Sequence, residues 1–258
     1  MILRKLAGAI SKQDWSTAVL EILIVMIGIY FGLQADAWNQ SRLDDQRARL
    51  ALEELQIDFI TINDDASDLS KYYKDVIDDL QILIRNWKSG EINYEDEAAI
   101  KNALARGDIF GDPPPPSGTY RNLASSGNLA LIRDKDLRLR LIEYDHSIDI
   151  IFESDAAVTN ILGHFGYAFK RYSTMGASYQ IPDSSDLSFV RISLLTVDQV
   201  DYEAMLADPD FRVAAELHLN MVIARYSNII ASQRKITQIR NLIDRNLGVP
   251  ADSTQDSP

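Results

Sequence analysis

Between Ala18 and Ala35 the chain carries one charged residue, Glu21, amid a nearly unbroken run of Val, Leu, Ile, Met, Tyr and Phe. As a helix this stretch is about 27 Å long at 1.5 Å per residue. A hydrocarbon core is roughly 30 Å thick, so the run is a short but sufficient membrane span. Trp15 and Trp38 lie just outside its two ends, where the membrane interface favours indole rings. A buried helix of a soluble protein has the same composition. The flanking tryptophans and the single charge fit lipid better.

Glu21 stands near the start of the run, where a carboxylate reaches headgroups or pairs within an oligomer. Gly28 and Gly32 form a Gly-x-x-x-Gly pair, which lets two spans approach closely and points to self-association. Ala35-Asp36-Ala37 also fits a small-x-small cleavage site. The long stretch before the apolar run and the helical pattern soon after it favour retention.

The second constraint follows directly. Ala48, Leu52, Leu55, Phe59, Ile62, Ala66, Leu69, Tyr73, Val76, Leu80, Leu83 and Trp87 recur at alternating spacings of four and three. That is a sustained heptad seam. The opposite face holds Asp58, Asp64, Asp65, Asp68, Asp75, Asp78 and Asp79 and reads as solvated. Asp64, Asp65 and Asp68 make a poor cation site, because calcium loops need glycine turns and denser oxygen ligands. Ser89-Gly90 is a C-cap signal. Nothing between Asp36 and Leu52 breaks a helix, so span and seam read as one rod of about 110 Å.

Tyr94 to Arg106 fits a short helix, and the four prolines from Pro113 to Pro116 form a stiff connector. Thr119 to Ser126 is a short helix stopped by Gly127. Asp134 caps the next helix, with a seam at Leu137, Leu141, Tyr144, Ile148, Ile151, Asp155, Val158, Leu162, Phe165, Phe169 and Tyr172. Asp155 is its one polar member. It either fixes register or partner number or sits at a solvent gap. Gly176 to Ser193 reads as irregular. Thr196-Val197-Asp198-Gln199 resembles a capping box opening a short helix to Ala207. Asp208-Pro209 opens the last helix, whose seam is Leu219, Val222, Tyr226, Ile229, Ile236, Ile243 and Leu247, interrupted by Gln233 and Arg240. Gly248-Val249-Pro250 ends it, and the acidic tail to Pro258 reads as disordered.

Composition narrows function. Net charge is −12, which argues against nucleic acid. The chain has no cysteine, which removes disulfides, zinc-thiolate sites and thiol nucleophiles. No phosphate-binding glycine loop, Gly-x-Ser-x-Gly or His-Glu-x-x-His occurs. The three histidines, His146, His164 and His218, are never one helical turn apart. His164 sits in an aromatic stretch with Phe165, Tyr167, Phe169 and Tyr172, which suits a packed helix better than a flat-ligand site. No cofactor and no metal site is expected, and neither is catalysis. The clustered carboxylates Asp64, Asp65 and Asp68 alone speak for an enzyme.

Glu21-Ile22-Leu23-Ile24-Val25-Met26-Ile27-Gly28-Ile29, then Gln34 and Ala37-Trp38-Asn39-Gln40, resembles the start of an uncharacterised bacterial family of single-span membrane proteins. That family is described only as a domain of unknown function. Tyr120-Arg121-Asn122-Leu123-Ala124-Ser125-Ser126-Gly127-Asn128-Leu129 is similar to a second stretch of it, with Leu131-Ile132 and Leu137-Arg138 following. Asp208-Pro209-Asp210-Phe211 is similar to a third. Members often carry an asparagine pair where this chain has Asp36-Ala37. The resemblance implies a membrane anchor and a helical soluble part, and it implies no activity.

These readings predict an all-α protein. One N-terminal transmembrane helix continues into a long heptad helix, packed with two further long helices in an extended bundle. The expected parts are a tail (1–14), a span (15–38), a bundle (39–248) and an acidic tail (249–258). Arg4, Lys5 and Lys12 before the span favour an N-terminus inside the cytoplasmic membrane and a bundle outside the cytoplasm. The expected partners are the lipid bilayer, a further copy of the chain or an envelope protein. The alternative function is a ligand-sensing bundle, with Phe165 to Tyr179 lining the site and a partner protein carrying the signal.

Overall fold

The computed structural model describes residues 15–106, 113–177 and 195–249. Side chains are described from residue 20 onward, apart from 155–166, 169, 177 and 195. The expectations for the N-terminal tail, most of the 176–193 segment and the C-terminal tail fall outside the described residues. So do the side chains of Trp15, Asp155 and His164. The protein is all-α, with six α-helices and one two-stranded sheet among the described residues. It divides into two units, Met1–Leu50 and Ala51–Pro258.

Helix α1 runs from Trp15 to Ser89 without a break. No proline or glycine falls between residues 33 and 89 to stop it. Gly90 ends it at φ +75°, a conformation glycine adopts without a Cβ penalty. In the first unit its apolar side chains are exposed. In the second, the predicted seam is the core: Leu55, Phe59, Ala66, Tyr73, Leu80 and Leu83 are fully buried.

A 3₁₀ turn (Tyr94–Asp96) leads into α2 (Glu97–Arg106), and α3 is Gly118–Ser125. Helix α4 runs from Lys135 to Lys170, capped as predicted by Asp134, whose carboxylate accepts from the Asp136 and Leu137 amides. Helix α5 is Tyr202–Ala207 and α6 is Pro209–Leu247. Asp208 caps α6 and Gly248 closes it at φ +73°, both as the sequence signals imply.

Side-chain bonds fix the register inside the bundle unit. Gln56 donates to Asp244 (2.7 Å) and Gln233 to Ser67 (3.3 Å), while Lys88 pairs with Glu216 (3.3 Å). Rising numbers on α1 meet falling numbers on α6, so the two helices are antiparallel. Asn246 of α6 donates to the Asp134 cap of α4 (2.9 Å). The core has two parts. One gathers Ala51 to Ala66 of α1 with Leu137 to Ile151 of α4 and Ile236 to Ile243 of α6, closed by Tyr120 and Leu123 of α3. The other gathers Leu69 to Ile84 of α1 with α2, Met205 and Phe211 to Ile229 of α6.

Three expectations are corrected. Thr196 to Gln199 is no capping box. It belongs to strand β2 (Leu195–Val200), which pairs antiparallel with β1 (Ser173–Ala177), and the cap of α5 is Asp201, accepting from the Ala204 amide (3.1 Å). A Cβ on Gly176 would lie 2.6 Å from Asp198 Oδ1, so a larger residue there would displace the Asp198 and Thr196 side chains of the paired strand. Second, the seam of α6 is Phe211, Ala215, His218, Val222, Arg225, Ile229, Ser232, Ile236, Ile239 and Ile243. Alternate positions lie one residue before those read from Leu219 and Tyr226, and Gln233 and Arg240 flank the seam instead of interrupting it. Third, the acidic face of α1 is not uniformly solvated: Asp58, Asp65 and Asp79 are half-buried against neighbouring elements.

Candidate functional site

Two regions hold features beyond ordinary packing. The first is the N-terminal part of α1. Leu20, Ile22, Ile24, Met26, Ile29 and Phe31 are 56–65% exposed, and Trp38 is 71% exposed. An 18-residue window of this helix reaches a mean hydropathy of 1.6, with none of it buried. In water so much contiguous exposed apolar surface would be a large cost. Nothing lies within 4 Å of a Cβ placed on Gly28 or Gly32, so both glycines present bare backbone. Glu21 is exposed on the same helix.

The second region is the set of polar clamps in the bundle. Asp58 of α1 accepts from the Ser117 hydroxyl (2.8 Å) and the Thr119 amide (2.9 Å), and Ser117 itself caps α3. Arg121 of α3 donates to Asp145 (2.7 Å) and Asp149 of α4. The start of α3 is thus tied to α1 through Ser117 and Thr119 and to α4 through Arg121. The prolines join it. Pro113 and Pro114 are buried, and Tyr144 donates to the Pro115 carbonyl (3.1 Å). Its own burial pushes the Tyr144 hydroxyl well above the usual tyrosine range.

At the far end of α1, Asn86 is 3% exposed. It donates to Ile82 and Asp96 and accepts from the Asn93 amide, turning the chain into α2. The Asn86 bond, then Arg85, holds the Asp96 carboxyl below its ordinary value. Tyr172 donates to Asp208, which lowers that cap's carboxyl, and stacks edge-on against Phe211 at 5.9 Å. Arg212 lies over the Trp87 ring at 5.2 Å.

The half-buried aspartates carry the main electrostatic strain. Burial raises Asp79 to about 6, with Arg106 opposing and Asp75 and Asp78 adding to the rise. Burial, then Asp68 and Asp64, raises Asp65, whose Oδ2 has no hydrogen-bond partner among the described residues. Among the described residues no group of three His, Asp or Glu is placed to hold a metal. An open groove between α4 and α6 is lined by Leu139, Arg140, Glu143, Asn241, Leu242 and Arg245. Its mixed, unconverging lining does not single out a ligand.

The predicted site residues thus separate. Glu21, Gly28, Gly32 and Trp38 all lie on the exposed part of α1. Of the expected aromatic site, Tyr167 is 78% exposed and Tyr172 donates to Asp208, while the side chains of Phe165 and Phe169 lie outside the described residues. Sequence reasoning missed Asn86, Arg121 and the buried polar positions His218, Arg225 and Ser232. The last three recur every seven residues, a signal that apolar counting ignores. No protein-family model, curated protein or solved structure matches this chain.

Proposed function

We propose that the chain is a single-pass protein of the bacterial inner membrane. In this reading α1 anchors it, its N-terminus faces the cytoplasm, and the helical bundle stands outside as a structural or interaction module that self-associates. One observation carries the reading. The turns of α1 from Leu20 to Leu33 expose all their large apolar side chains, whereas from Ala51 onward a seam through Leu55, Phe59, Ala66, Tyr73, Leu80 and Leu83 is fully buried and Ile57 and Ile60, off that seam, stay exposed. A bilayer is the solvent that makes the first arrangement favourable. The described polar groups of the bundle cap helices and brace neighbours, which suits a structural or interaction module.

The test uses the absence of cysteine. A Ser257→Cys variant is treated, in intact cells and after lysis, with a membrane-impermeant thiol reagent, and the membranes are extracted at alkaline pH. Labelling in intact cells together with resistance to extraction supports the reading. Extraction into the supernatant would end the membrane assignment, and labelling only after lysis would reverse the orientation.

A further inference from the structure

The span is sorted by bulk around its circumference. From Leu20 to Leu33, Glu21, Val25, Gly28 and Gly32 follow one another at spacings of four, three and four. Every other residue in that interval is Leu, Ile, Met, Tyr or Phe. At 100° per residue these four positions, with Ala35 and Asn39 that continue the spacing, occupy an arc of about 80°. One side of the helix therefore carries the lone carboxyl, otherwise nothing larger than valine within the span, and an asparagine at the exit. The remaining sides carry only bulky apolar groups. All of these residues lie in the first unit, and the glycine backbones on this arc are uncovered.

We infer that this arc is a parallel helix–helix interface with a second copy of the chain, in which Glu21 meets Glu21 and Asn39 meets Asn39. The inference rests on the membrane reading above and names the partner of that same helix. Glu21 carries it. A carboxyl in hydrocarbon needs a hydrogen-bonding partner at its own depth. A second copy in the same orientation supplies one by symmetry, since a two-fold axis along the membrane normal keeps each residue at the same depth as its equivalent and brings together those that lie near the axis. Gly28 and Gly32 bring the two backbones together at mid-span, which lets a short polar side chain reach across. Asn39 repeats the logic where the helix leaves the apolar run, and an asparagine pair is a known device for fixing parallel register. A different protein would need a matching polar group and a matching small face at the same heights. The second copy has both already.

The experiment is disulfide crosslinking of the full chain in its native membrane, with alkaline extraction on the same samples. Single cysteines replace Val25 and Asn39 on the arc, and Met26 and Leu33 off it. The expected result is oxidative dimer at Val25→Cys and Asn39→Cys and little at the other two. In the Val25→Cys background, Glu21→Ala lowers the dimer fraction about threefold or more, and Glu21→Gln, which keeps the hydrogen bonds without the charge, preserves it. Equal crosslinking at all four positions overturns the inference. So does monomer alone from chains that resist extraction, or an adduct of another mass at Val25. Loss of dimer with Glu21→Gln as well would overturn the hydrogen-bonded carboxyl pair. If the chain is extracted at alkaline pH, the membrane reading itself falls.

Discussion

Residues 20–33 and 51–84 belong to one unbroken helix and are both rich in leucine, isoleucine and valine, yet they treat their apolar side chains in opposite ways. In the first, apolar groups surround the helix and all are exposed. In the second, most of them form one buried stripe, with Ile57 and Ile60 exposed beside it. The difference lies in where polar residues fall. From Ala51 on, aspartates and lysines occupy the outer positions, so water satisfies one side and partner helices the other. From Leu20 to Leu33 no such side exists, and Glu21 is the one charged exception. A stripe specifies packing against neighbours, while an all-round apolar surface specifies a solvent.

The comparison breaks most readily in the bundle. Phe59 is fully buried and stacks edge-on with Tyr144 at 5.4 Å. Phe59→Ala should cost the bundle about 3–5 kcal/mol in chemical denaturation, through lost burial and the cavity left behind. The same truncation at Ile24 should leave bundle stability unchanged, since that side chain is 60% exposed. Membrane insertion should respond in the reverse sense. Ile27→Lys puts a charge at mid-span and should cost about 3 kcal/mol of insertion, read as a shift of protein into the alkaline-soluble fraction. If Ile27→Lys left the chain in the membrane and lowered bundle stability instead, the assignment of the two regions would be wrong.

A smaller effect is expected from the clamps. Asn86→Ala removes three hydrogen bonds and strands the Asn93 amide, and should cost about 1–3 kcal/mol. Faster amide exchange around Tyr94 to Asp96 would accompany it.

The smallest effect is the dependence on pH. Asp79 titrates at about 6 in the fold against 3.8 for the free group. At pH 7 it is charged in both states, and its desolvation weakens the fold. As pH falls from about 7 towards 4, the folded form takes up the proton first and stability rises. Asp79→Asn should therefore raise the melting temperature at pH 7 and change little at pH 4. Because the group is about half exposed, the gain at pH 7 should stay below about 1 kcal/mol after solvent screening. Asp96, Asp134 and Asp208, whose carboxyls are held below their ordinary values, act oppositely. Their contribution is lost as pH falls below about 4, so acid stabilisation should reverse there.

The seams of α1 and α4 were legible because apolar residues fill almost every seam position as far as Ile151, and a 3.5-residue repeat has one reading when it is unbroken. The caps at Asp134 and Asp208 were legible because a cap is settled within three residues. The seam of α6 was misread for the same physical reason. Leu219 and Tyr226 are apolar but only half-buried, whereas His218, Arg225 and Ser232 are polar and buried. Hydrophobicity ranks the former higher, and only the packing of α1, α2 and α4 around α6 decides which neighbour faces inward. The hairpin was invisible because Ser173–Ala177 and Leu195–Val200 are stabilised by each other across a long separation. The Thr196-to-Gln199 stretch suits a cap equally well until its partner strand is known.

By itself the sequence determined that the chain is all-α, where its long helices begin and end, and which stretch of α1 has no polar side. These are local properties, set by side-chain period, caps and turn glycines within a few residues. The tertiary structure decided which of two adjacent faces of α6 is buried, that Arg121 and Asp58 brace α3, and that Asp79 is strained. Each of those depends on groups distant in sequence meeting at fixed distances, and no local pattern encodes that meeting.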